Sequence, residues 1–244
     1  LFKTGVPRRI PWWEARMTRA VFAAGGPAPE VFEEVEVDGR FGFVMPRLDG
    51  PTLLQQVKAG RITPEATGAL LAMLGLSVHR TPAPAKVLSM REYMARSLEL
   101  PEAGIPERIA TGVLDLIDRL PAAEGVAHCD LHPDNVIMTA EGPRLIDWTG
   151  AKRGGALLDL ACCHFLTTEL VVENFGDPVR QQAINAAMQS AYAQLAGMSL
   201  DTMRAEIETH LPVVRVFFLL GGLPRPATRA RLLGRLEADF AEAG

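Results

Sequence analysis

His128-Cys129-Asp130-Leu131-His132-Pro133-Asp134-Asn135, followed closely by Arg144-Leu145-Ile146-Asp147-Trp148, is the stretch on which the reading of this chain turns. Between them lie the apolar segment Val136–Thr139 and the turn-forming run Ala140-Glu141-Gly142-Pro143, so the spacing predicts an antiparallel hairpin about Glu141. In that hairpin Asn135 starts one strand where Asp147 ends the other, and opposed residues have Cβ atoms ~5 Å apart. One amide and one carboxylate suit magnesium, a hard cation that keeps several waters and takes its other ligands from phosphates. Asp130, five residues before Asn135 on an irregular loop, falls beside this metal, placed to orient a substrate hydroxyl and accept its proton.

Outward from this core, the chain divides in texture at residues 48 and 49. Residues 1–48 hold a predicted helix over Trp13 to Ala24, ended by Gly25-Gly26-Pro27, then two extended segments, Glu30–Val37 and Phe41–Arg47, joined at the hairpin signal Asp38-Gly39. Leu48-Asp49-Gly50-Pro51 punctuates the chain as a candidate hinge. Residues 49–244 are mostly helical. Thr63-Pro64-Glu65 supplies a capping hydroxyl and a first-position proline, and Ser89 with Glu92 forms a capping box. A further helix is predicted from about Pro106 to Leu120, and others at 155–170, 179–196, 199–220 and 226–243.

His128-x-Asp130-x-x-x-x-Asn135, followed by an apolar strand and Asp147, resembles the catalytic and metal loops of protein kinases. The fuller pattern, with Leu131-His132-Pro133 and Leu145-Ile146-Asp147-Trp148, is more similar to the aminoglycoside phosphotransferase family, which resembles choline and homoserine kinases in fold. The resemblance implies an α+β, protein-kinase-like fold of two lobes: a small sheet-plus-helix lobe over 1–48, a linker near 46–50 and a larger helical lobe over 49–244. It implies phosphoryl transfer from ATP or GTP, with magnesium, to a hydroxyl of a small molecule whose identity the sequence leaves open. Asp130 then matches the catalytic Asp, and Asn135 and Asp147 the metal ligands. His128 matches a loop-bracing His. Leu158-Asp159-Leu160-Ala161 resembles a helix start whose Asp steadies the catalytic loop. Lys3 and Glu14 match the nucleotide-binding Lys and its helix partner, and Met45 and Arg47 fall on the strand-to-linker segment that meets the nucleotide. Two positions where the family usually has Gly carry Cys129 and Asp134, the latter adding negative charge near the metal. No glycine-rich loop precedes Lys3. The expectation is therefore that the natural protein has further strands before Leu1, and that this chain binds nucleotide weakly.

Composition narrows the alternatives. Hydrophobic residues make up 48% of 244, enough for a real core, and 25 basic against 29 acidic residues give a formal charge of −4, which offers no basic face for nucleic acid or anionic membrane. Cys129, Cys162 and Cys163 form no disulfide framework. The longest apolar run, Val213 to Leu223, is short and carries Arg215, and no signal peptide is evident, so a soluble cytoplasmic protein is expected. Arg225, Arg229, Arg231 and Arg235 read as a solvated helix face, Glu169, Glu173 and Asp177 as surface charges, and His79, His164 and His210 as isolated structural histidines. Two other functions compete with transfer. One is a binding module that kept the fold without catalysis, favoured by the absent glycine-rich loop. The other is a zinc hydrolase built on His128, Cys129, Asp130 and His132, opposed by Pro133 and by the lack of a second ligand cluster.

Overall fold

The computed structural model describes residues 9–84, 87–170, 177–222 and 225–241, with side chains from Trp12 onward. Helix α1 (Arg9–Ala23) runs into Gly25, and a two-stranded antiparallel sheet, β1 (Glu33–Val37) and β2 (Arg40–Val44), follows. Val37 pairs with Arg40 across Asp38-Gly39, both left-handed as a tight hairpin turn requires. Ala15, Val31 and Phe43 form a small core there, and Met45 packs against it. α1 also gives Met17 and Val21 to the main core, so one helix serves both.

Helix α2 (Leu53–Lys58) opens with a full capping box, Thr52 accepting the Gln55 N–H at 3.1 Å and Gln55 accepting the Thr52 N–H at 3.0 Å. α3 (Pro64–His79) is capped by Thr63 and α4 (Met90–Leu98) by the Ser89–Glu92 box, as their local signals predict. α5 (Glu107–Arg119) buries Ile109 and Val113. α6 (Ala156–Thr168), α7 (Pro178–Ala196), α8 (Leu200–Leu220) and α9 (Pro226–Asp239) complete the helical body. α3 and α7 pack closest at Gly68, where an added Cβ would lie 2.5 Å from the Met188 nitrogen.

Two expectations fail here, for electrostatic reasons. The apolar run within α8 is core, and Arg215 inside it is buried because Glu169 and Asp239 meet its guanidinium at 2.9 and 2.7 Å. Glu169 is thus not a surface charge: Arg235 also reaches it at 2.9 Å, and Arg231 donates to its backbone oxygen at 2.7 Å. The arginines of α9 accordingly do not form a purely solvated face. Arg229 also crosses to the carbonyls of Ala103 and Gly104. Asp177 caps α7, accepting the Arg180 N–H at 3.0 Å, and Glu173 lies outside the described residues. Among the described residues, no helix is long and apolar enough to cross a membrane.

Candidate functional site

Three short segments converge around Asp130: β3 (Val126–Ala127) leading into 128–132, the hairpin β4 (Val136–Thr139) and β5 (Gly142–Leu145), and the turn 148–150 before β6 (Lys152–Arg153). β3 and β6 pair antiparallel, which brings the loop beside the start of α6. The hairpin forms, but one residue away from the predicted register. Thr139 pairs with Gly142 across a two-residue turn, Ala140-Glu141, so the strand opposite Asn135 presents Ile146 and not Asp147. The Ile146 N–H donates to the Asn135 carbonyl at 2.9 Å. Gly142, at φ +111°, and the Thr139 hydroxyl on its carbonyl at 2.7 Å close the turn one residue earlier than a connection centred on Glu141 would. In a continuing strand that slip would turn Asp147 to the other face. The strand ends first: Asp147 is left-handed at φ +60°, and its carboxylate caps the turn 148–150 by accepting the Thr149 N–H.

Asp130 is held by its neighbours. Asn135 Nδ2 donates to both its backbone oxygen and its Oδ2, each at 2.9 Å. That commits the amide nitrogen and leaves the amide oxygen as the end of Asn135 suited to a hard cation. His132 Nε2 stands 3.5 Å from Asp130 Oδ1. His128 is fully buried, accepts the Asp130 N–H at Nδ1 (3.2 Å) and donates from Nε2 to the Ile146 carbonyl (3.1 Å), which fixes one neutral tautomer. Burial pushes its pKa down, against the opposing pull of Asp159 and Asp130. Trp148, also fully buried, lies edge-on to this ring at 4.6 Å and donates to the Leu145 carbonyl at 3.0 Å.

Asp159, on the first turn of α6, accepts the backbone N–H of His128 at 2.9 Å and of Cys129 at 2.7 Å. A third donor, His79 Nε2 at the end of α3, reaches it at 2.9 Å, and Tyr192 of α7 stands 2.7 Å from His79 Nδ1. His79 is therefore no isolated helix histidine. Nothing local in the sequence marks this contact, because its partners lie 80 and 113 residues away. Burial works to raise the Asp159 pKa, and the hydrogen bond and charge of His79, with His128, outweigh it and hold the carboxyl below its ordinary value. The same burial pushes the Tyr192 hydroxyl up to about 12. Cys129 is left-handed at φ +61°, a backbone state that favours glycine, and its clamped N–H helps keep it there.

The remaining predicted residues are placed as follows. Glu14 is buried on α1, Met45 is half-buried against the small core, and Arg47 is exposed and paired with Asp49 at 2.7 Å. Lys3 lies outside the described residues. Asp134, the extra negative charge, accepts the Thr52 hydroxyl at 2.9 Å. Sequence reading also missed Lys152: it is buried behind the loop, donates to the Gly150 carbonyl at 2.8 Å and lies 4.6 Å over the Tyr93 ring. Among the described residues no three His, Cys, Asp or Glu side chains gather as a metal cage, and the ring nitrogens of His128 are both taken by the backbone. A groove of about 410 Å³ among the end of α1, α3 and α7 contains none of these loop residues.

The sequence profile of the phosphotransferase enzyme family, APH, matches residues 6–198. The chain belongs to that family. Its fold is the kinase-like one of the family. A choline/ethanolamine kinase family protein from Mesorhizobium loti superposes with a TM-score of 0.58 at 18% identity, covering 98% of this chain and 80% of that one. Aminoglycoside-3'-phosphotransferase of type VIII gives 0.56 at 20% identity over 84% of this chain and 79% of that one. The GDP complex of aminoglycoside 2'-phosphotransferase-IIIa gives 0.54 at 14% identity over 98% and 85%. No protein in a curated sequence set matches this chain. The phosphotransferase family thus sets the class of this chain, and the kinase-like fold sets its architecture.

Proposed function

We propose that this phosphotransferase-family chain moves the γ-phosphoryl group of a nucleoside triphosphate to a hydroxyl of a small molecule, with Asp130 as the group that orients and deprotonates that hydroxyl. The observation that carries this reading is the held carboxylate: Asn135 fixes Asp130 Oδ2 at 2.9 Å on a loop whose backbone Asp159 grips at two N–H groups. In the transfer the acceptor oxygen bonds to the γ-phosphorus as the bond to the β,γ-bridging oxygen breaks. The hydroxyl proton passes to Asp130, and the electron pair leaves on the nucleoside diphosphate. Positioning supplies most of the acceleration in such chemistry, so a carboxylate fixed at one oxygen on a clamped loop suits the task.

Asn135 and Asp147 are the residues that fit magnesium: an amide oxygen whose partner nitrogen is already committed, and a carboxylate set at a left-handed turn two residues beyond the hairpin. The cation, when bound, supplies positive charge to the phosphate oxygens. Lys3, with Glu14 as its partner, would contact the α and β phosphates, and the segment from Met45 to Arg47 would meet the base. The nucleotide-bound relatives, one holding GDP and another ADP, support a nucleotide donor of either base. The helical segment 49–244 would carry the chemistry and residues 1–48 the nucleotide.

The test is a panel of hydroxylated amines, amino alcohols and sugars assayed with magnesium and either ATP or GTP, comparing the wild type with Asp130→Ala. Transfer that vanishes in Asp130→Ala while nucleotide affinity stays the same is the expected result. Nucleotide binding without transfer across the panel would make the chain a catalytically silent binding module instead.

A further inference from the structure

Two polar side chains of the loop have no part in the transfer reading, yet they connect Asp130 to the segment that follows residues 46–50. Thr52 donates its hydroxyl proton to Asp134 Oδ1 at 2.9 Å while its oxygen caps α2. The Asp134 N–H donates to His132 Nδ1 at 3.2 Å. A ring nitrogen that accepts a hydrogen bond carries no proton, so the neutral imidazole is protonated at Nε2. That nitrogen faces Asp130 Oδ1 at 3.5 Å. Asn135 already holds the other oxygen, so Nε2 of His132 faces the one carboxylate oxygen of Asp130 that Asn135 leaves open.

The far end of this chain is also fixed. The Met138 N–H donates to the Pro51 carbonyl at 2.9 Å, and Thr52 forms a bridge with Ile137 on β4. Gly50 permits the contact, since a Cβ there would lie 2.0 Å from the Met138 carbonyl oxygen. The segment after residues 46–50 and the loop around Asp130 thus share one continuous run of hydrogen bonds.

We infer that Thr52, Asp134 and His132 form a latch that orients Asp130 from the segment after residues 46–50, which is itself fixed to β4. The latch makes these three positioning residues for the transfer, and it rests on the reading of Asp130 given above. The 3.5 Å gap is longer than a hydrogen bond, as contacts at a reacting carboxylate often are without substrate, and it tightens when the acceptor site fills. Asp134 is the distinctive link: with glycine at that position Thr52 would lose the acceptor it has here.

The test uses the 244-residue chain and two independent readouts. The first is the His132 tautomer, read by nitrogen-15 NMR, together with exchange of the Asp134 amide. The second is turnover of magnesium ATP with water as the acceptor, referenced to Asp130→Ala. His132 is expected as the Nε2–H tautomer, with a slow Asp134 amide that speeds up in His132→Ala. His132→Ala should lower kcat ~10-fold with KM for ATP unchanged, the cost of loosened orientation. His132→Gln, whose amide N–H takes the place of Nε2–H, should recover most of that loss. Thr52→Ala should lower kcat and Thr52→Ser should not. Thr52→Ala should do nothing further in an Asp134→Gly background, because both break the same link. An Nδ1–H tautomer overturns the latch, and so does wild-type turnover in a folded His132→Ala when Asp130→Ala is inactive. If the wild type turns over no ATP with water, the transfer reading is decided by the acceptor panel above, and the tautomer and the Asp134 amide still decide the latch.

Discussion

Asp159→Ala removes the acceptor for three buried donors at once: the N–H groups of His128 and Cys129, and His79 Nε2. A buried donor left without a partner costs ~1–3 kcal/mol, and three neighbouring ones cost ~3–5 kcal/mol together, because effects within one network do not add. We expect Asp159→Ala to lose ~3–5 kcal/mol, a large share of a domain stability of ~5–15 kcal/mol. With a urea slope of ~2 kcal/mol per molar, the unfolding midpoint falls by ~1.5–2.5 M. Asp159→Asn is the graded control. Its oxygen placed at Oδ2 keeps His128 and His79, and its amide then faces only the Cys129 N–H. The loss should be ~1–3 kcal/mol. Acid provides a second axis. The folded pKa of Asp159 lies below its unfolded value, so its contribution is complete above ~4 and is lost as pH falls through the folded value. The gap between wild type and Asp159→Asn should hold from pH 7 to about 4 and narrow below that. Loss of the buried neutral His128 begins nearer pH ~6.5 in both proteins, and without the Asp159 charge the folded pKa of His128 is held lower still in Asp159→Asn. An Asp159→Ala midpoint within ~0.3 M of wild type would refute the brace.

Three further outcomes can be checked. Cys129→Gly removes left-handed strain of ~1–2 kcal/mol while giving up a small buried thiol, so urea unfolding should show stability within ~1 kcal/mol of wild type, whereas β-branched Cys129→Val should fall at least ~2 kcal/mol lower. Gly50→Ala drives a methyl into the Met138 carbonyl and should cost ~1–3 kcal/mol by the same measurement, with faster exchange of the Met138 amide that now donates to Pro51. In magnesium titrations of turnover, Asp147→Asn should raise the metal requirement and recover in part at high magnesium. Asn135→Ala should stay slow at saturation, because its amide also holds Asp130.

The sequence made the helical body legible because its signals are local. Thr63-Pro64, Ser89 with Glu92 and Asp38-Gly39 each specify an end or a turn within four residues, and each is found as predicted. The loop around Asp130 was legible through its motif. The hairpin register was not, since a two-residue and a three-residue connection draw on the same turn formers Ala140 to Pro143, and the choice rests on Gly142 adopting φ +111°. His79, Tyr192 and Thr52 were invisible for another reason: each meets the site through a contact across 80 or more residues, which no spacing in the chain announces. Glu169 misled in the same way, as its partners Arg215 and Arg235 lie 46 or more residues away on α8 and α9.

Where the chain is strained also bears on function. Among the described residues, three that are not glycine adopt left-handed backbone: Asp38, Cys129 and Asp147. Asp38 sits in a hairpin turn that calls for this conformation, so its cost has a local explanation. Cys129 has none, and Asp147 is eased in part by its own carboxylate accepting the Thr149 N–H; strain of that kind persists only where the surroundings over-determine it. His128 provides the connection. Its ring accepts the N–H of Asp130, just after Cys129, and donates to the carbonyl of Ile146, just before Asp147. One buried, neutral imidazole thus joins the two strained points, with Asp159 gripping the first and Trp148 packed against the ring between them. A turn needing only to reverse the chain would take glycine at both positions and dispense with the imidazole. Two strained residues whose chain neighbours are bound to one ring make sense if what must be fixed is the relation between Asp130 and Asp147, the two carboxylates that the proposed transfer assigns to the acceptor and the metal.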